Sequence, residues 1–138
     1  MVYYCINTLI QRKENHMAWS FDSGRAVYIQ VAERLRRGVI TGVYGPGEQI
    51  PSVRQLAFDA AVNPNTVQHA FSELESEGLI ESRGTLGRFV TEDPEKIAVA
   101  RKLEAKKLVG DFVSGALDLS LSEEETLQLI KEAFDERS

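Results

Sequence analysis

A mostly helical α+β fold is the class that this 138-residue sequence predicts, on three observations. Two short amphipathic helical segments, each preceded by a capping residue, meet across a turn near Ala61. Two β-prone runs then flank a glycine-bearing tip, and two longer helical stretches complete the chain. Helix stripes recur at i, i+3, i+4 and i+7 while strands alternate, so the two kinds of segment separate on periodicity alone.

The first helix spans roughly Tyr28 to Thr41. Ile29, Val31, Ala32, Leu35, Val39 and Ile40 are its apolar positions. Arg34, Arg36 and Arg37 read as a solvated face, with a phosphate or Glu33 within reach of one of them. Gly42 ends this helix, and Tyr44-Gly45-Pro46-Gly47 turns the chain. Ser52, with Pro51 ahead of it in extended backbone, caps the next helix, whose buried stripe is Leu56, Ala57 and Ala60. Many turns of this kind carry glycine near the position of Ala61, because one residue there tends to φ > 0. Alanine is a small local cost.

Asn63 caps a third helix and Pro64 takes its first position, where a missing N–H costs nothing. Val67, Ala70, Phe71 and Leu74 form one apolar stripe. Asn65, Thr66, Gln68 and His69 face away from it, and every acid lies further on, at Glu73, Glu75 and Glu77. That order opposes the helix dipole, which favours acids at the start. An acid-free helix start instead suits a phosphate or a base edge. Leu79 to Ser82 and Arg88 to Thr91, around Arg83-Gly84-Thr85-Leu86-Gly87, make a hairpin. A helix-turn-helix followed by a basic-tipped hairpin is a winged helix.

Beyond Val90 the pattern changes. Glu92-Asp93-Pro94 reads as a hinge-like break, followed by a helix from about Glu95 to Ser114, with Gly115 after it. Ile97, Ala100, Leu103, Val109, Phe112 and Val113 are its apolar positions. Ser122 to Glu125 is a capping box for a last helix with a Leu127, Ile130 and Phe134 stripe. Some 45 residues in two helices are too few for a core of their own. Their apolar faces pack on a second copy, giving a symmetric dimer, or fold back on the winged helix. The expected organisation is an extension of poor order over residues 1–16, a DNA-binding winged helix over 17–91, and a helical dimerisation or effector tail over 92–138.

Composition narrows the class. The single cysteine, Cys5, excludes an internal disulfide and suits a reducing cytosol, and no stretch approaches the ~20 apolar residues of a membrane span. Met1 to Met17 lacks the charged-then-apolar order of a signal peptide, so a cytoplasmic protein is expected. The net charge of −5 resides in the tail, where twelve acids face seven bases. Residues 17–91 hold seven arginines and eight acids. A local patch, rather than the total, binds a phosphate backbone. His16 and His69 are the only histidines, and no nucleophile, phosphate loop or metal-ligand spacing accompanies them, so no enzyme and no cofactor is expected.

The segments Val27-Tyr28-Ile29-Gln30, Leu35 to Gly42, Pro46 to Ala57 (PGEQIPSVRQLA) and Val62 to Gly84 (VNPNTVQHAFSELESEGLIESRG) agree in order and spacing with a known pattern. Over roughly residues 24 to 91 they resemble the DNA-binding domain of the GntR family of bacterial transcriptional regulators. The NPNTV variant with a short helical tail is similar to the YtrA-like subfamily. Two departures stand out. Arg88 replaces a threonine or similar small residue, adding positive charge near the wing, and Ala60-Ala61 replaces a glycine-containing turn.

The resemblance implies a DNA-binding set of Ser52, Arg54, Asn63, Asn65, Thr66, Gln68, His69, Arg83, Gly84 and Thr85. Arg54 matches a DNA-contacting arginine of the family, and an arginine fork grips guanine O6 and N7. Its competing role is an ion pair with Asp59 or a nearby acid. Asn65 and Gln68 are the side-chain type that reads adenine. Ser52 combines capping with phosphate contact, and Asn63 caps the helix with its backbone near a phosphate. His69 either touches a phosphate or is solvated, and Arg83-Gly84-Thr85 form the wing tip. The implied protein is a homodimeric regulator, by analogy a repressor, on a palindromic double-stranded DNA operator. The tail is too short to enclose a ligand pocket of ~300 Å³ in one subunit, so a small-molecule inducer would sit at a dimer interface or between tail and winged helix. The rival reading is a winged-helix protein–protein module without specific DNA binding. An apolar or acidic recognition face would favour it, whereas this face is polar and carries arginine. RNA is disfavoured because the recognition helix has no aromatic stacking platform.

Overall fold

The computed structural model describes residues 19–138. The expected extension over 1–16 and the boundary at Met17 lie outside the described residues. The chain divides into two compact units, one ending at Ala100 and the other running from Arg101 to Ser138.

In the first unit α1 (Val27–Ile40), α2 (Val53–Ala60) and α3 (Pro64–Ser76) are followed by an antiparallel hairpin of β1 (Ile80–Ser82) and β2 (Arg88–Val90). Ile80 pairs with Val90 and Ser82 with Arg88, and a 3-10 turn over Gly84–Leu86 forms the tip. Gln49 bridges Phe89 on the free side of β2, and Ile50 and Val90 donate backbone N–H groups across that seam. The segment before α2 thereby covers the open edge of β2 and ties the hairpin to the helix-turn-helix.

One stripe from each helix meets the others in the core: Val31, Leu35 and Val39 from α1, Leu56 and Ala57 from α2, and Val67, Phe71 and Leu74 from α3. Leu79, Ile80 and Val90 close it from the hairpin, and Trp19 and Phe21 pack against it. Ile29, expected among the apolar positions of α1, is 40% exposed and lies outside the core cluster. Gly38 is needed for close approach: a Cβ there would stand 2.7 Å from the Tyr44 ring.

The caps explain where the helices begin. Ser52 Oγ accepts the Gln55 N–H at 3.1 Å, and Asn63 Oδ1 accepts the Asn65 N–H at 2.8 Å. Ala61 ends α2 at φ 55, ψ 48, the left-handed conformation that glycine adopts without strain.

The arginines of α1 do not form a purely solvated face. Arg36 makes a forked ion pair with Glu77, just past the end of α3, and is largely covered. Arg34 lies 4.0 Å from the Trp19 ring centroid. Arg25, before the helix, donates to Glu33 at 2.9 Å, and that carboxylate raises its pKa by hydrogen bonding and attraction. These contacts join segments remote in sequence, so helix periodicity does not disclose them.

The expected break at Glu92-Asp93-Pro94 is a helix start. Asp93 Oδ1 accepts the Glu95 N–H at 2.9 Å, and Pro94 opens α4 (Pro94–Asp118). The first turns of α4 place Ile97 and Ala100 on the core of the first unit. The helix runs straight through Gly110 and Gly115, past the expected end at Ser114. An interior glycine costs only ~1 kcal/mol, which neighbouring helix formers outweigh. Termination comes at Ser120, at φ 60, with Leu121 N–H returning to the Ala116 carbonyl.

In the second unit α5 (Glu123–Asp135) starts on a complete capping box between Ser122 and Glu125. From Arg101 to Ser138 only Ala116 and Thr126 are buried, while Leu103, Val109, Phe112, Val113, Leu117, Leu127 and Phe134 are exposed.

Candidate nucleic-acid interface

α3 carries its apolar stripe inward, so Asn65, Gln68, His69 and Ser72 share the outer face by their three- and four-residue spacing. No acid lies in its first turn, and Pro64 occupies the start without an N–H. The side chains of Asn65 and Thr66 make no hydrogen bond among the described residues, and Asn65 is exposed. Donors and acceptors at this helix end are therefore available to a ligand, beside a partial positive charge from the helix dipole.

Arg54, in the first turn of α2, is exposed and has no ion pair among the described residues. The competing partner Asp59 is held instead by Gln55, which donates to it at 2.8 Å. A free guanidinium retains all five N–H donors for a carboxylate, phosphate or guanine edge. Ser52, two residues earlier, accepts the cap bond of α2 on its hydroxyl oxygen and keeps its O–H as a donor.

At the wing, Arg83 lies 4.4 Å from the Phe89 ring centroid and 3.8 Å from Glu81, and about two-fifths of its side chain is exposed. Gly84 has φ 56 and nothing within 4 Å of where a Cβ would stand. Thr85 and Leu86 beside it are exposed. Gln49 donates to the Leu86 carbonyl at 2.7 Å, which anchors the tip.

His69 was expected at a phosphate or in solvent. Its ring is exposed and stacks one face on Tyr28 of α1, with centroids 3.6 Å apart and planes 9° from parallel. Arg88 was expected to add positive charge near the wing. It turns onto α3, donating to Glu75 at 2.6 Å and to Gln68 Oε1 at 3.1 Å, with its guanidinium 4.7 Å from the Phe71 ring centroid. Glu75 neutralises that charge. Sequence reasoning missed Tyr28 and the Arg88 network because the partners lie 13 to 41 residues apart. The one available signal was Arg88 itself, a departure from the pattern that the GntR resemblance implies.

The fold, a three-helix core with a helix-turn-helix and a two-stranded wing, defines a winged helix-turn-helix DNA-binding protein. The model for bacterial regulatory proteins of the gntR family matches residues 27–90. The HTH-type transcriptional regulator YhcF of Bacillus subtilis is 33% identical over 111 residues, covering 80% of this chain and 92% of its own. The HTH-type transcriptional repressor YtrA of the same organism is 32% identical over 102 residues, covering 70% and 78%. A GntR family transcriptional regulator from Listeria monocytogenes superposes with a TM-score of 0.76 at 32% identity, over 81% of this chain and 98% of that one. The chain belongs to the GntR family of transcriptional regulators, which act by binding DNA and not as enzymes. Among the described residues no helix is long and apolar enough to cross a membrane.

Proposed function

We propose that the protein is a homodimeric repressor that binds a two-fold symmetric operator in the cytoplasm. Arg54, Asn65, Thr66 and Gln68 read base edges. Ser52, Asn63, Arg83, Gly84 and Thr85 hold the phosphate backbone through side chains and main-chain N–H groups. His69, exposed on the same face and stacked on Tyr28, adds a contact to a phosphate. The observation that carries this reading is the exposed, unpaired Arg54 beside an acid-free recognition-helix start where the Asn65 and Thr66 side chains make no hydrogen bond among the described residues. The name of its relative YtrA, a transcriptional repressor, supports repression. Residues 17–91 are the DNA-binding module and residues 92–138 the dimerisation element.

The tail supports dimerisation. Thirty-eight residues cannot build a core, yet α4 and α5 leave Phe112 49% and Phe134 68% exposed. An identical apolar face on a second copy covers them by two-fold symmetry, and two winged helices then meet two half-sites.

Selection of bound duplexes from a randomised pool, with sedimentation of the free protein, tests both parts. The expected result is a dimer and a two-fold symmetric motif. A monomer recovering a single asymmetric site would overturn the dimeric reading. Absence of any enrichment at low salt would shift the function to a protein partner for the winged helix.

A further inference from the structure

We infer that Arg88 sets which base Gln68 reads, by polarising and orienting its amide so that the NH2 group leads towards the DNA. The inference rests on the proposed base-reading role of Gln68.

Arg88 stands on β2 with three anchors: the Glu75 carboxylate at 2.6 Å, the Phe71 ring at 4.7 Å, and Gln68 Oε1 at 3.1 Å. A guanidinium has donors and no acceptor, so the amide atom facing it must be oxygen, and this alone settles which way the amide is turned. Nε2 makes no hydrogen bond among the described residues, and Gln68 is exposed. The Gln68 backbone is held as well, since its carbonyl accepts from Ser72 Oγ at 3.0 Å.

A free glutamine reads adenine by accepting from N6 and donating to N7. Here the oxygen already accepts from a cation. That weakens it towards a second donor and strengthens the two N–H donors of the same amide. Guanine presents two adjacent acceptors, N7 and O6, whereas adenine presents one acceptor beside a donor. An amide leading with its donors therefore prefers guanine. Glu75 cancels the charge of Arg88, so the effect is on base choice and not on general attraction to phosphate. Arg88 is a positioning residue, and the base contact belongs to Gln68.

The test is selection from randomised duplexes with the wild-type protein and the Q68A, R88K and R88M variants, each checked by thermal unfolding. Methionine keeps an apolar stem over Phe71 without any donor, and lysine keeps a charged donor. Q68A is expected to erase the preference at one position per half-site, and that position should be guanine in the wild type. R88K should keep guanine, while R88M should move the guanine-to-adenine ratio about tenfold towards adenine, the scale of one good base contact. A uniform loss of binding in R88M with an unchanged ratio would overturn the inference and leave Arg88 a strut. Adenine at that position in the wild type would overturn it equally. Unchanged preferences in Q68A would instead overturn the underlying base-reading role.

Discussion

The two units of the chain handle the same kind of residue in opposite ways. In the winged helix, each of α1, α2 and α3 carries one apolar stripe, and the stripes close on one another so completely that Phe71 is 1% exposed. In the tail α5 carries a stripe of similar character while the apolar residues of α4 spread around its circumference, and most large apolar side chains of both remain exposed. Amphipathic pattern alone therefore does not make a core. Three helices and a hairpin enclose an interior, whereas two helices offer surface only. The apolar residues of the first unit stabilise the fold, and those of the second are available for association.

That contrast sets the expected consequences of substitution. Phe71→Ala should cost about 3–5 kcal/mol of folding stability, because it removes a ring from a closed core. Denaturant unfolding measures it, and a loss under 1 kcal/mol would show the core to be less tightly built than its burial indicates. Phe112→Asp should leave unfolding of the first unit almost unchanged but weaken dimerisation by about 2–4 kcal/mol, the cost of losing a central interface anchor. Sedimentation over a concentration series reads this shift. An unaltered assembly would remove Phe112 from the interface.

Arg54→Ala acts on neither core nor tail. It should lower specific DNA binding by about 1–3 kcal/mol and relax the preference at one base pair per half-site. Binding to a panel of single-base operator variants checks it, and an unchanged specificity profile would assign Arg54 to the backbone. Ala61→Gly is expected to have the smallest effect, a gain of a few tenths to about 1 kcal/mol as left-handed strain is relieved, offset by the greater freedom of glycine when unfolded. A lower melting temperature would mean that the unfolded-chain contribution wins.

Much of the first unit was legible because its determinants are local. The Ser52 and Asn63 caps, the left-handed residue at Ala61 and the Val67-Ala70-Phe71-Leu74 stripe each involve residues within a few positions of one another. The Ser122 capping box was legible for the same reason. Gly115 was misread as a stop because a glycine signals a helix end only where the chain also turns. Here the turn comes at Ser120.

The interface was legible in part. Sequence alone identified which residues belong to the recognition helix and that its first turn is acid-free. It did not disclose that Asp59 is held by Gln55, which leaves Arg54 unpaired, or that His69 is stacked on Tyr28. Nor did it disclose that Arg88 reaches back to Gln68 and Glu75, or that Arg36 joins α1 to Glu77 across 41 residues.

What the sequence by itself determined is thus the identity, order and polarity of the elements, since capping and periodicity act over one or two helical turns. Only the tertiary structure decided which charged side chains are spent on one another and which stay available for DNA. Such pairing depends on distances between segments that come together when the core closes, and side-chain electrostatics act over a few ångströms of space whatever the separation along the chain.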